Sequence, residues 1–324
     1  MEIMTLSEIM DKSIEILKKY MQTIVVFTLI YGIIIFISIF ILIIIGGISI
    51  GLSAVFIKSP VLIGMIIALL TIVIMTISFT QYIGMIKISS QEYFKEKVLV
   101  DGALKVSFKN FFKTAGIVIC AIILFIPGIA AFGGIGYVLF KALNAAFSVS
   151  NSIDINVILL MIAGAAVFIF AIFVVFGYIT WFSFAFHAAV IEKKGVFASI
   201  KRSFSLVHSN FWKLFGTTLL ITITLYAVRI SINSFFALLG SVVFLILRLL
   251  NFQQDFLAAI GAAATYLQFP LSIVYWLIVS PLGYIMLTFL YFNQRFKKEG
   301  FDLILKLKEI QKNDEINSSI PNRI

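Results

Sequence analysis

Apolar residues in this chain come in long blocks, separated by short polar segments that keep an apolar beat of three and four residues. Six blocks, 23–45, 61–85, 115–140, 157–187, 214–236 and 271–293, are predominantly apolar and bounded by Gly, Pro, Asn or charge. A helix crosses the hydrocarbon of a bilayer in about 20 residues at 1.5 Å each, so each block predicts a spanning helix. The fourth is longer than a bilayer requires and must tilt or project. Pro127 and Pro281 predict kinks in the third and sixth. Ala130 and Gly134 give the third a small-residue face, suited to close packing or to one wall of a cleft against the sixth. Residues 237–270 are also largely apolar, but two more spans would need about 40 residues plus a turn. Only 34 positions are available, which predicts a re-entrant or interfacial hairpin.

The segments leading into the odd-numbered spans resemble one another. "DKSIEILKKYMQTI" (11–24), "GALKVSFKNFFKTAG" (102–116) and "SIKRSFSLVHSNFWKLFG" (199–216) share aromatic and basic residues, and Asn110-Phe111-Phe112-Lys113 matches Asn210-Phe211-Trp212-Lys213. Ser13 and Ser203 fall at equivalent places, the second copy being about one helical turn shorter. In the third copy Phe197, Ile200, Phe204, Val207 and Phe211 recur at helical spacing, opposite Lys201, Arg202, Ser205 and His208. That pattern predicts amphipathic helices lying in the interface, at 5–20, 97–113, 195–210 and, after the last span, 301–312. Thr5 and Glu8 form a capping box for the first. Anchoring by basic and aromatic residues alone would give similar loops; three copies in register with the odd spans point to three units, each an interfacial helix followed by two spans.

Composition sharpens the class. Hydrophobic residues make up 61% of the 324 and charged ones 12%, with a mean hydropathy of +1.11, outside the range of soluble domains. The fold class predicted is all-α: a polytopic helical membrane protein forming one six-span domain over 1–324. The opening residues are mixed in charge, unlike a cleaved signal peptide. Of 25 Lys and Arg, 21 fall before span one, between spans two and three, between four and five, or after six. Positive residues accumulate on the cytoplasmic side, so both termini are expected there. The net charge of +10 becomes a one-sided belt facing membrane lipids with anionic headgroups, with no support for nucleic-acid binding. The single Cys120 cannot form an internal disulfide and reads as a small buried residue.

The stretch "LTFLYFNQRFKKEGFDL" resembles the closing signature of bacterial six-span proteins related to the membrane domain of glycerophosphoryl diester phosphodiesterases. Their last span ends in an aromatic pair, then Asp-Leu-Arg, a basic-Glu-Gly step and Asp-Leu. Here Tyr291, Phe292, Arg295, Lys298, Glu299, Gly300, Asp302 and Leu303 fill those places, with Asn293 where the family usually has Asp. The segment carrying Glu192, Gly195, Ala198, Arg202, Ser203, Asn210 and Phe211 is similar to a second element of the family. The resemblance covers essentially the whole chain. It implies a location in the bacterial cytoplasmic membrane and brings no active site, because the catalytic barrel that names the family, with its His-Arg-Gly element and metal-binding carboxylates, has no counterpart here.

Chemistry-bearing residues are few. Arg295, Glu299 and Asp302 stand at i, i+4 and i+7, on one face of a helix leaving span six. They read as a salt-bridge cluster locking that exit or, with Arg202, as an anion or lipid-headgroup site, and Gly300 is the expected hinge. His187, near Glu192, is either a polar tip among aromatics or half of a proton relay. Gln81, Arg229 and Asn233 are the strongly polar residues at membrane depth, and Gln81, His187 and Arg229 are candidates to line a cavity. Two isolated histidines predict no metal site, and nucleophile elbows, P-loops and paired intramembrane carboxylates are missing from the sequence. No cofactor is expected. These features point to a non-enzymatic scaffold or accessory factor for envelope lipid or protein traffic. The alternative is a transporter or flippase for an amphipathic solute, with spans three, five and six around a cavity.

Overall fold

The structure, a computed structural model, describes residues 4–53, 59–150, 154–249, 266, 270–301, 303–307 and 310–311. It is all-α, and six of its helical segments are long and apolar enough to cross a membrane. The chain is a multi-pass integral membrane protein.

Three short helices each run almost directly into a long one. Helix α1 (Leu6–Lys19) precedes α2 (Met21–Leu52), which α3 (Pro60–Ser89) follows. After α4 (Gln91–Phe94) come α5 (Val100–Lys109), α6 (Phe111–Ser150) and α7 (Ile155–Phe182). After α8 (Ala185–Ile191) come α9 (Val196–His208), α10 (Phe211–Leu249), a wide π turn at Tyr275–Val279, and α11 (Ser280–Glu299). The short-to-long breaks share one device. The carbonyls of Tyr20, Asn110 and Asn210 accept from the backbone N–H of Ile24, Thr114 and Leu214, at 3.0, 2.8 and 3.0 Å. Each break residue thus closes one helix and starts the next without stranding its backbone in apolar surroundings. The Asn-aromatic-aromatic-Lys motif sits at two of these breaks, and its second aromatic, Phe112 or Trp212, is exposed, as an interfacial anchor must be.

A second repeated device follows the even spans. Among the described residues the positive-φ positions are Lys95 (50°), Lys193 (54°) and Gly300 (57°), and each turns the chain out of a helix that continues an even-numbered span. The last closes α11 with its N–H on the Phe296 carbonyl at 3.2 Å, a left-handed cap that glycine adopts at no steric cost.

Helix ends depart from the sequence reading in three places. Span four does not run unbroken to 187, because a turn at Ser183–Phe184 separates α7 from α8, with the Ser183 hydroxyl donating to the Thr180 carbonyl at 2.9 Å. Helix α10 continues past 236 to Leu249, so the hairpin expected over 237–270 does not begin where it was placed. Apart from Ser241 and Arg248 the run from 237 to 249 is apolar, and its one interior glycine is too weak a breaker to end a helix. The remainder, 250–265 and 267–269, lies outside the described residues. Pro127 lies within α6, and Pro281 follows the π turn, whose wider winding accommodates a residue lacking the N–H. The small-residue face of α6 is not a packing seam: Ala130 and Gly134 are exposed.

The core lies at the end that carries the basic segments. Phe27, Tyr31, Met85, Ile88, Phe289 and Phe292 form its centre, enclosed by α1 and α9. There α2, α3 and α5 approach closely at Gly84, where a Cβ would fall 2.2 Å from Phe27 Cζ and 2.6 Å from Ser107 Oγ. At the opposite end Phe36, Ile45, Val61 and Phe168 stay exposed, as side chains facing lipid do.

Candidate functional site

Where α8, α9 and α11 meet at the basic end, the two signature segments are brought together. Glu192, just after α8, accepts from Arg202 Nε at 3.0 Å to both its oxygens, from Lys194 Nζ at 2.8 Å and from Tyr291 Oη at 2.6 Å. Arg202 reaches on to Glu299, which also takes the Arg295 Nε at 3.2 Å, while that same nitrogen lies 3.6 Å from Glu192. Two carboxylates and two guanidiniums therefore close a ring across three chain segments, and Lys194 leaves an excess of one positive charge. The Arg295 guanidinium also stacks on Phe301, its carbon 3.6 Å from the ring centroid, which fixes the first residue after the Gly300 turn.

Electrostatics follow geometry. Burial of Glu192 works to raise its pKa, but the hydrogen bonds from Lys194, Tyr291 and Arg202 and the Arg295 charge outweigh it and hold the carboxyl below its ordinary 4.5. Burial works to lower the Arg202 pKa, but the hydrogen bonds and charges of Glu192 and Glu299 outweigh it and hold the guanidinium above its ordinary value.

Hydrogen bonds to backbone carbonyls brace the cluster. Ser203 donates to the Trp181 carbonyl at 2.5 Å, Gln294 to the Leu206 carbonyl at 3.0 Å, and Lys298 to the Ser205 carbonyl. Asn293 accepts from the Met4 N–H at 3.0 Å and donates to the Met4 carbonyl at 2.8 Å. An aspartate could make only the first of these bonds.

Among the residues singled out from the sequence, Glu192, Arg202, Arg295 and Glu299 meet directly. Ser203 braces them, Gly300 turns beside them, and Asn210 starts α10 at a distance from the ion pairs. Asp302 lies outside the described residues. His187 is fully buried but does not bond Glu192: its Nδ1 lies 3.1 Å from the Ser183 carbonyl and its Nε2 3.2 Å from Thr288 Oγ1. A ring nitrogen facing a carbonyl must carry the hydrogen, so Nε2 is the acceptor. Thr288 already donates to the Tyr284 carbonyl, which leaves the Tyr82 hydroxyl, 3.4 Å away, as the donor. Gln81 is buried, whereas Arg229 is exposed over the Tyr275 ring. A cavity of about 580 Å³ does open between α3, α6, α7 and α11, walled by Phe79, Tyr82, Ile122, Tyr178, Phe182 and Tyr284, but Gln81, His187 and Arg229 do not line it. Among the described residues no group of three or more His, Cys, Asp or Glu is placed to hold a metal.

Sequence spacing alone does not mark Tyr291, Lys194 and Phe301 as members of the cluster. Tyr291 did stand in the closing signature, whereas Lys194 had no signal beyond its adjacency to Glu192.

No protein-family model, curated protein or solved structure matches this chain.

Proposed function

We propose that the protein is a non-enzymatic scaffold or accessory factor of the bacterial cytoplasmic membrane, serving envelope lipid or protein traffic, with both termini and the basic belt on the cytoplasmic side against anionic headgroups. The relation to the membrane domain of glycerophosphoryl diester phosphodiesterases belongs to the same proposal. One observation carries the reading: Glu192, Arg202, Arg295 and Glu299 of the two signature segments are spent on one another, joining α8, α9 and α11. Groups that bind a travelling solute or move protons need spare bonding capacity at membrane depth, and here the ring of ion pairs serves assembly. Such a frame presents its exposed aromatic anchors and basic residues to lipid or a membrane partner.

The transporter reading is favoured by the apolar cavity of about 580 Å³, a volume within the usual range for small-molecule sites. Flux measurements on the protein in sealed vesicles separate the two. The scaffold reading expects fluorescent lipid analogues and amphipathic solutes to cross no faster than in empty vesicles. Protein-dependent flux, abolished by filling the cavity through Ile122→Trp, would overturn it.

A further inference from the structure

Six aromatic side chains, Phe79, Tyr82, Tyr178, Phe182, Phe186 and Tyr284, wall the cavity of about 580 Å³ between α3, α6, α7 and α11. Their rings meet in pairs: Phe79 lies 4.8 Å from Phe186 at 11°, Tyr82 4.9 Å from Tyr284, and Tyr178 4.7 Å from Phe182. Three of the six are phenols, and two of these are engaged. Tyr178 donates to the Ala121 carbonyl and Tyr82 to His187 Nε2. Tyr284 is half-buried, and its hydroxyl neither bonds a described residue nor is sealed off from contact. A donor without an acceptor in apolar surroundings is costly, and a ligand in the cavity that offers an acceptor removes that cost.

Depth decides what kind of acceptor fits. Tyr284 stands 11 residues before Arg295 on α11, about 16 Å at 1.5 Å per residue, and half the hydrocarbon thickness is about 15 Å. With the ion-pair ring at the interface, the Tyr284 side chain lies near the bilayer midplane, where a charged head group is costly. The acceptor must therefore be uncharged. The cavity also continues outward. It shares Phe125 and Val175 with an apolar groove of about 710 Å³ between α6 and α7, which passes Gly133 and Gly164 and reaches Leu160, about 22 Å along α7 from Val175. A head group held in the cavity thus has a path for a long apolar tail.

We propose that the cavity and the groove together bind an isoprenoid quinone. Its flat, uncharged ring packs among the aromatic walls, one ring carbonyl accepts from Tyr284, and the tail lies along the groove between α6 and α7. Phospholipids do not meet these conditions, because their charged head groups stay at the interface, and a plain hydrocarbon chain offers Tyr284 no acceptor. The site makes no use of the ion-pair ring beyond its depth. It asks only for binding, so it stands apart from the choice between scaffold and transporter.

The test uses the full-length protein in mild detergent, incubated with a naphthoquinone carrying an isoprenoid tail and freed of excess by gel filtration. Retained quinone is read by absorbance after extraction. The parent should hold one quinone per chain. Ile122→Trp, which fills the cavity, is the matched micelle control and should hold only what empty micelles hold. Tyr284→Phe should bind about tenfold more weakly, the loss of one hydrogen bond. The melting temperature of the ligand-free variant should be unchanged, because the hydroxyl has no protein partner to lose. Gly133→Phe, placed where a side chain meets open space, should erase the advantage of the tailed quinone over the tail-free ring and leave binding of the tail-free ring as it was. A polyprenol with the same tail and phosphatidylglycerol should each displace the quinone poorly. Equal displacement by either, binding that Tyr284→Phe leaves intact, a tail preference that survives Gly133→Phe, or a parent that holds no more than micelles overturns the proposal.

Discussion

Replacing Arg295 by Ala tests whether the ion-pair ring holds the molecule together. The substitution removes a contact to Glu299 at 3.2 Å, one to Glu192 at 3.6 Å and the stack on Phe301. A charge-assisted hydrogen bond is worth about 1.5–3 kcal/mol, and a desolvated cation–π contact about 2 kcal/mol. Breaking a fully buried pair on one side costs about 3–5 kcal/mol. Two features pull the figure towards the lower end. The Glu299 side chain is 25% exposed, and Arg202 still pairs with both carboxylates. The expected loss is about 3 kcal/mol, against at most about 1 kcal/mol for an exposed ion pair.

The assay is thermal unfolding in mild detergent, alongside the yield of monodisperse protein. Arg295→Ala should melt well below the parent. Arg295→Lys should fall between, since an ammonium keeps the charge but not the planar fork that contacts carboxylate and ring together. Lys297→Ala, on the exposed side of the same helix, should change nothing. In a double-mutant cycle with Glu299→Gln, the coupling isolates the pair from the stacking on Phe301. If Arg295→Ala melts with the parent, the ring is an exposed anchor and the assembly role is wrong.

Other expectations follow from single contacts. Glu192 has a folded pKa below its ordinary 4.5, so its stabilisation is complete above that value and is lost as pH falls through the lower folded value; Glu192→Gln should flatten the acid limb of a melting-temperature profile and lower stability at pH 7. Gly84→Ala places a methyl against Phe27 and Ser107 and should cost about 1–3 kcal/mol, whereas Gly134→Ala, with open space around it, should be neutral in melting. Asn293→Asp loses the bond to the Met4 carbonyl and should expose the N-terminal residues to limited proteolysis at a cost of about 1–2 kcal/mol. For topology, in a Cys120→Ala background, cysteine at Asn156 should label from outside intact cells and cysteine at Lys201 only after permeabilisation; labelling of position 201 from outside would sink the proposed orientation.

The six spans were legible because hydrocarbon imposes a length and forbids charge, and both marks are one-dimensional. The short helices α1, α5 and α9 were legible for a related reason: amphipathic spacing survives in a chain otherwise apolar all round. The turn at Ser183–Phe184 was not legible. Its sequence, "WFSFAFH", is as apolar as its neighbours, and the Ser183 bond to the Thr180 carbonyl is of a kind that Thr80 and Ser148 make inside unbroken helices. The continuation of α10 beyond 236 escaped for the opposite reason, because an apolar run carries no mark of where one element ends when the flanking residues are equally apolar.

The ion-pair ring was half visible, and the hidden half explains the visible one. Spacing within α11 links Arg295 to Glu299, but nothing local links either of them to Glu192 or Arg202, about a hundred positions away. The link comes from the repeated geometry. Glu192 and Glu299 each stand immediately before a left-handed residue, Lys193 and Gly300, so equivalent turns after spans four and six place two carboxylates at the same level. Two carboxylates at one level repel unless cations lie between them, and Arg202 from α9 and Arg295 from α11 occupy that place. After span two, Lys95 makes the same turn, and there Glu92 stands three residues before it and takes Lys19 from α1 at 2.5 Å. Each turn thus carries a carboxylate that binds a cation, and in all three a cation comes from a short helix leading into an odd span: Lys19 of α1 at Glu92, Arg202 of α9 at both Glu192 and Glu299. That rule is a property of the three units taken together. It accounts for Lys19 of α1 and Arg202 of α9 as internal fasteners, in addition to any lipid those helices meet.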